Sequence, residues 1–228
     1  MKKAIIISLV TAALVYLLSG CERESSADVT QDRIYVSYEI VYHETTDITY
    51  ARASFFFGSI TGTKLELADP SQVTFNGDPL GFKDALAYYE KQYTGLVETG
   101  EFIFTDLDDN SFTNTATISE IGLPETLDTI TKGSSYELFF TGDALVSGEG
   151  VYAYINGTGE GDGISVYQNT TGATSIVIPA TQTDNLTVGT NTVYLRKRHE
   201  TAAQEASSAG AICAGIYQTV TVDIEVIE

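Results

Sequence analysis

The sequence predicts an all-β protein: two consecutive immunoglobulin-like β-sandwich domains, residues 32–123 and 131–228, joined by a linker at 124–130. Three observations point there. Apolar residues recur at every second position along most of the chain after Asp32, the period of a strand with one buried face. Clusters of Gly, Asn, Asp and Pro interrupt that alternation at short intervals, and no long apolar stripe of helical period competes with it. The length of 228 residues accommodates two sandwiches of about 100 residues each.

Ile34, Val36, Tyr38, Ile40 and Tyr42 open the first domain, alternating with Tyr35, Ser37, Glu39, Val41 and His43. Thr49, Ala51, Ala53, Phe55 and Phe57 repeat the pattern and place Arg52 on the opposite face. Residues 64–67 and 72–75 read as short strands, the second closed by Asn76-Gly77-Asp78-Pro79, a strong turn signal. Residues 82–93 contain helix formers and few β-branched residues, so a short helix crossing between the sheets is expected. Residues 101–105 and 113–119 flank an acidic hairpin loop at 106–110. The break at Gly122-Leu123-Pro124-Glu125-Thr126 marks the boundary.

Alternation resumes at Tyr136, Leu138 and Phe140, and again at Val151, Ala153 and Ile155. Residues 156–163 form a glycine-rich turn, and 176–179, 192–198 and 218–227 read as further strands. Residues 200–215, rich in Ala, Ser and Gly, are expected as a long connecting loop of the kind that builds binding surfaces at sandwich ends.

Lys2 and Lys3 precede an uncharged stretch, residues 4–18, that is shorter than the roughly 20 residues of a spanning helix. It ends in Leu18-Ser19-Gly20-Cys21, which resembles the lipobox of bacterial lipoproteins. The resemblance implies removal of the signal peptide, residues 1–20, acylation of Cys21 by chains such as palmitate, and anchoring to a membrane. Residues 21–31 are polar and lack periodicity, so they are expected to form a flexible tether. With the opening strand 34–42 and Asp106–Asn110 leading into Asn114-Thr115, the whole chain resembles two-domain β-sandwich lipoproteins of Bacteroidota. That likeness implies the outer membrane, with a preference for the cell surface. The fimbrillin pilins of the same bacteria share the lipobox and the two β domains, but no pilin motif matches residue by residue.

Charge narrows the function. The chain carries 31 acidic and 12 basic residues, a formal net charge of −19. Loss of Lys2 and Lys3 with the signal peptide leaves 31 acids against 10 bases, or −21. Such a surface excludes nucleic acid, whose binding needs cations to displace counterions. With Cys21 acylated, Cys213 is the remaining thiol, and its small apolar neighbours make it a core residue. There is no Gly-x-Ser-x-Gly elbow and no His-x-x-x-His pair, and His43 and His199 adjoin no serine motif. Tyr88, Tyr89 and Tyr93 could form a sugar platform in the absence of tryptophan, but read first as packing. No cofactor is expected.

Asp106, Asp108 and Asn110 have the one-three-five spacing of a calcium loop, without the glycine and glutamate an EF-hand places at its sixth and twelfth positions. They are weak metal candidates, and a solvated hairpin tip is favoured. Residues 157–163, although glycine-rich, are followed by a strand pattern and not the helix a phosphate loop requires. Arg196, Lys197 and Arg198 are candidate anion-binding residues for acidic glycan or lipid phosphate. The competing reading places them at a solvated strand tip beyond the core, paired with acids such as Asp223 and Glu225. Asp128-Thr129-Ile130 resembles the O-glycosylation acceptor of Bacteroidota, making Thr129 a modification candidate. The leading expectation is a non-enzymatic, lipid-anchored envelope protein that contacts an envelope protein or a glycan. The alternatives are a pilus subunit of fimbrillin type and a carbohydrate-active enzyme with a carboxylate pair.

Overall fold

The computed structural model describes residues 23–156 and 163–228. Residues 1–22, where a signal peptide and the lipid attachment at Cys21 are expected, and residues 157–162, most of the glycine-rich turn, lie outside the described residues. The rest is an all-β arrangement of sandwiched sheets. The first half contributes β1 (Arg23–Ser25), β2 (Ile34–His43), β3 (Ile48–Phe57), β4 (Lys64–Glu66), β5 (Gln72–Phe75), β6 (Asp78–Pro79), β7 (Gly81–Lys83), β8 (Tyr88–Thr94), β9 (Thr99–Thr105) and β10 (Ser111–Thr117). The second contributes β11 (Ile130–Thr131), β12 (Tyr136–Phe139), β13 (Glu149–Asn156), β14 (Ile164–Gln168), β15 (Ser175–Ile178), β16 (Gly189–Ala202), β17 (Ala211–Gln218) and β18 (Val222–Ile227), with one helical turn at Ala180–Thr183.

One sheet runs through both halves in the order β1-β4-β3-β2-β17-β16-β13-β14, with β7 and β8 branching from β3 and β11 and β18 from β16. The continuity comes from β17, which pairs in parallel with β2 on one side and antiparallel with β16 on the other. The 14-residue β16 then changes partners along one edge: Gly189–Val193 pair with β18, and Arg196–Ala202 with β17. At the switch, the Leu195 amide donates to Thr219 Oγ1 at 2.9 Å while its carbonyl accepts from the Thr219 amide at 3.0 Å. These two bonds satisfy the backbone groups of Leu195 where β16 passes from one partner to the other.

The inner face of this sheet is covered by two smaller ones, β10-β9-β5-β6 and β12-β15. Tyr38 meets Phe102 at 5.1 Å between ring centroids, and Phe55 meets Phe104 at 4.8 Å, so aromatic pairs join the layers of the first sandwich. Leu138, Ile176 and Ile178 extend the same buried cluster beneath Val151, Ala153 and Ile155 in the second. Cys213 lies fully buried opposite Tyr38, and burial pushes its thiol up to about 11, a protonated core side chain.

Three expectations are corrected. Residues 82–93 form β7, a tight turn and β8, because pairing of β8 with β3 from Ile48 to Ala53 outweighs weak local helix propensity. Ala87 takes the positive φ of that turn, at 51°. The tether is packed from Arg23 onward: β1 adds in parallel to β4, Ser26 is fully buried, and Gln31 Nε2 donates to the Ser26 carbonyl at 2.7 Å. The 200–215 segment is loop only over residues 203–210, since β16 continues to Ala202 and β17 starts at Ala211. The remaining short loop clamps the edge of β10. Gln204 and Glu205 accept the outward amides of Thr115 and Thr113 at 2.7 and 2.6 Å, and Asn114 exchanges two further bonds with the Glu205 backbone.

Candidate binding face

The outer face of the long sheet has no second layer over it among the described residues. Strand register sets its composition. On β13, Val151, Ala153 and Ile155 point into the core, so Tyr152 and Tyr154 point out. Across the ladders, Tyr152 faces Tyr167 of β14 and Arg196 of β16, while Tyr154 faces Tyr194. The rings pack on one another: Tyr152 on Tyr167 at 4.4 Å and Tyr154 on Tyr194 at 4.8 Å, with Tyr152 and Tyr154 5.9 Å apart. Tyr152 and Tyr167 nonetheless remain 38% and 49% exposed. That is costly apolar area to leave in water, and Tyr and Arg are the residue types enriched where surfaces are used for binding.

A glycine makes the arrangement possible. A Cβ on Gly150 would lie 2.2 Å from the Tyr167 hydroxyl and 2.6 Å from its ring, so the bare backbone lets Tyr167 lie down across β13. Gly148 and Gly150 floor a depression of about 310 Å³, walled by Tyr152, Tyr167, Arg198 and Glu200. Arg198 straddles β17: Nη1 reaches Glu39 Oε1 on β2 at 2.6 Å, and Nε reaches Glu200 Oε1 at 2.5 Å. Between them lies Ala214, paired with both Glu39 and Glu200, whose small side chain leaves room for the guanidinium to cross.

The face continues over the first half. His43 meets Tyr50 edge-on at 5.4 Å, and Arg52 sits over Tyr50 at 4.8 Å and Tyr88 at 5.3 Å while donating to Glu90 at 2.8 Å. Burial first, then the charges of Arg196 and Arg52, hold His43 below its ordinary value.

Of the three basic candidates, the structure treats each differently. Lys197 is not at a solvated tip: the strict alternation of β16 carries it into the core, 1% exposed, where Nζ pairs with Glu149 Oε1 at 3.0 Å. Burial pushes the Glu149 carboxyl up, but hydrogen bonds from Ser119, the Val146 amide and Lys197 more than offset it and hold the group below its ordinary value. Arg198 is spoken for by Glu39 and Glu200, in place of the expected Asp223 and Glu225. Arg196 makes no ion pair among the described residues.

Asp106 is buried and closes its own loop: Oδ1 accepts from the Asp108 and Asn110 amides at 2.9 Å, and Oδ2 from Asn110 Nδ2 at 3.0 Å. These bonds turn the carboxylate inward, and no group of three or more metal-ligating residues forms among the described residues. Thr129 is exposed just before β11. Tyr89 and Tyr93 pack on the core side of β8 and only Tyr88 reaches the outer face, so those three tyrosines form no platform. A separate depression of about 590 Å³ between β4, β5 and β7 is bordered by Arg23, already engaged with Glu66 and Asp84.

The tyrosines at 152, 154, 167 and 194 were not singled out from the sequence. The available signal was their position on the outward phase of strands whose inward residues are aliphatic.

No family model matches the chain, and no curated protein matches it. Solved structures that resemble it include the FN1-FN3 domains of chicken CNTN1, at 10% identity and a TM-score of 0.28, covering 84% of this chain and 65% of that one. A structure described for host cell surface retention of a 1.5-MDa bacterial ice-binding adhesin matches at 11% identity and a TM-score of 0.26, covering 85% and 65%. The two tandem V-type regions of VCBP3, a v-region-containing chitin binding protein, match at 9% and 0.20, covering 81% and 98%. This chain therefore spans just under two thirds of the first two structures.

Proposed function

We propose that the protein is a lipid-anchored, non-enzymatic module of the outer membrane that binds saccharide on the tyrosine face of its long sheet. The lipobox at Leu18–Cys21 supports the anchor, and the sandwich fold is suited to a binding or surface module. The observation that carries the saccharide reading is the depression over Gly148 and Gly150. Its two tyrosine rings offer apolar faces to the C–H surface of a sugar ring. Its Arg198, bonded to both Glu200 and Glu39, offers donors and acceptors together. Sugar hydroxyls both donate and accept, so an arginine already held by carboxylates, together with those carboxylates, satisfies them without demanding a charged ligand. A volume near 310 Å³ is at the small end of ligand sites and suits one or two sugar units of a longer chain.

The test is retention of the full-length chain, in mild detergent, on a panel of immobilised neutral and acidic oligosaccharides. Tyr152→Ala and Tyr167→Ala, folded by circular dichroism, are each expected to weaken retention at least tenfold. Retention that survives both substitutions places the site elsewhere.

A further inference from the structure

We propose that the saccharide taken by this face carries an isolated carboxylate, and that Arg196 is the residue that reads it; this rests on the saccharide reading above. The argument is one of elimination and field. Three arginines lie on the outer face, and Arg52 and Arg198 are already bound to carboxylates of the protein. Lys197, between Arg196 and Arg198 in sequence, faces the opposite way and is bound to Glu149. Arg196 is left half-buried with its guanidinium unclaimed by any carboxylate among the described residues. Arg33, Lys64, Lys83 and Lys132 likewise make no ion pair among the described residues, but none of them stands beside the depression, so Arg196 is singled out by its place.

Its position is the second part. Arg196 stands directly across the ladder from Tyr152, a wall of the depression, and directly across from Gln218 on the other side. A sugar lying on Tyr152 and Tyr167 therefore projects its substituents toward a planar fork of donors, flanked by the Gln218 amide. Such a fork matches a carboxylate in two-point geometry.

The field limits how much charge the ligand brings. The formal charge of −21 after loss of the signal peptide repels a polyanion at every contact beyond Arg196. One carboxylate at hydrogen-bond distance is instead dominated by the local arginine, because charges farther than about 8 Å are screened at physiological salt. The ligand class is thus a mostly neutral oligosaccharide with a single uronic acid or similar acidic sugar, and not a sulfated or polyuronic chain.

Calorimetry on the full-length chain with matched tetrasaccharides in gluco, galacto and xylo series, each neutral or carrying one glucuronic acid branch, and with heparin, tests this. For at least one series the acidic member is expected to bind about tenfold or more tighter than its neutral twin. Arg196→Gln should erase that preference while neutral binding stays within twofold. Tyr167→Ala should weaken both members of the pair. Heparin should bind no tighter than the singly acidic ligand at 150 mM NaCl. Equal binding of both twins by the wild type overturns the role of Arg196 and leaves the saccharide reading standing. A preference that persists in Arg196→Gln, or tight heparin binding, also overturns it. No binding to any member of the panel overturns both.

Discussion

At the scale of single residues, the sharpest lesson is at Lys197. The period of two held through Val193, Leu195 and Lys197 without regard to the charge of the last. A lysine is carried inward when its ladder partners fix the register and an acid waits at the right height, here Glu149 at 3.0 Å. Breaking such a pair leaves an uncompensated buried charge, which costs about 3–5 kcal/mol, whereas apolar replacement of both partners is often neutral. Lys197→Ala and Glu149→Gln are therefore each expected to lower stability by about 3 kcal/mol or more. The double variant Lys197→Met, Glu149→Leu should recover most of the loss. Urea denaturation followed by tyrosine fluorescence measures both; single variants that lose under about 1 kcal/mol would show that water reaches the pair.

At the scale of elements, β17 decides the architecture and was the element least visible in the sequence. Ala211-Ile212-Cys213-Ala214-Gly215 has small residues and weak strand propensity, and it follows an Ala- and Ser-rich stretch that reads as loop. The strand is buried on both faces, so it lacks the alternation that revealed its neighbours. Gly215 shows why smallness is required, since a Cβ there would stand 1.9 Å from the Thr117 carbonyl oxygen of β10. The loop preceding β17 has a role of its own. By holding the outward amides of Thr113 and Thr115 it blunts an edge that would otherwise be open to pairing with another chain. Joint Gln204→Ala and Glu205→Ala substitution is expected to speed amide hydrogen exchange at Thr113 and Thr115 about tenfold or more. Exchange in β2 and β3 should change far less. Uniform acceleration throughout would indicate global destabilisation in place of an uncovered edge.

At the scale of the whole molecule, net charge and local pairing act in opposite directions with pH. At neutral pH the acidic excess makes the compact state repel itself, so raising NaCl from 20 to 500 mM is expected to raise the melting temperature. A fall would mean that surface pairs outweigh the repulsion. Acidification removes specific stabilisation in two steps. His43 is held low by burial and by Arg196 and Arg52, so the unfolded chain takes up its proton first. Stability then falls as pH drops below about 6.5 toward the folded value. Glu149 and Glu90 are held below their ordinary values despite burial, by Lys197 and Ser119 in one case and Arg52 and Gln92 in the other. Their contributions are present above about pH 4.3 and are lost as pH falls through the lower folded values. The urea midpoint should follow those two limbs, and His43→Asn should flatten the upper one.

The sequence by itself determined the all-β class, most strands, the acidic hairpin at 106–110 and the lipobox as an expectation, because period, turn chemistry and composition are local properties. Asn76 and Gly77 adopted the positive φ values their turn required, 51° and 83°. Only the tertiary structure decided that β2 and β17 join the two halves into one sheet, and that Arg196 has no carboxylate partner among the described residues while Arg198 and Lys197 do. Parallel pairing between residues more than 170 positions apart leaves no mark on either segment alone, and whether a cation is free depends on carboxylates that arrive from other strands.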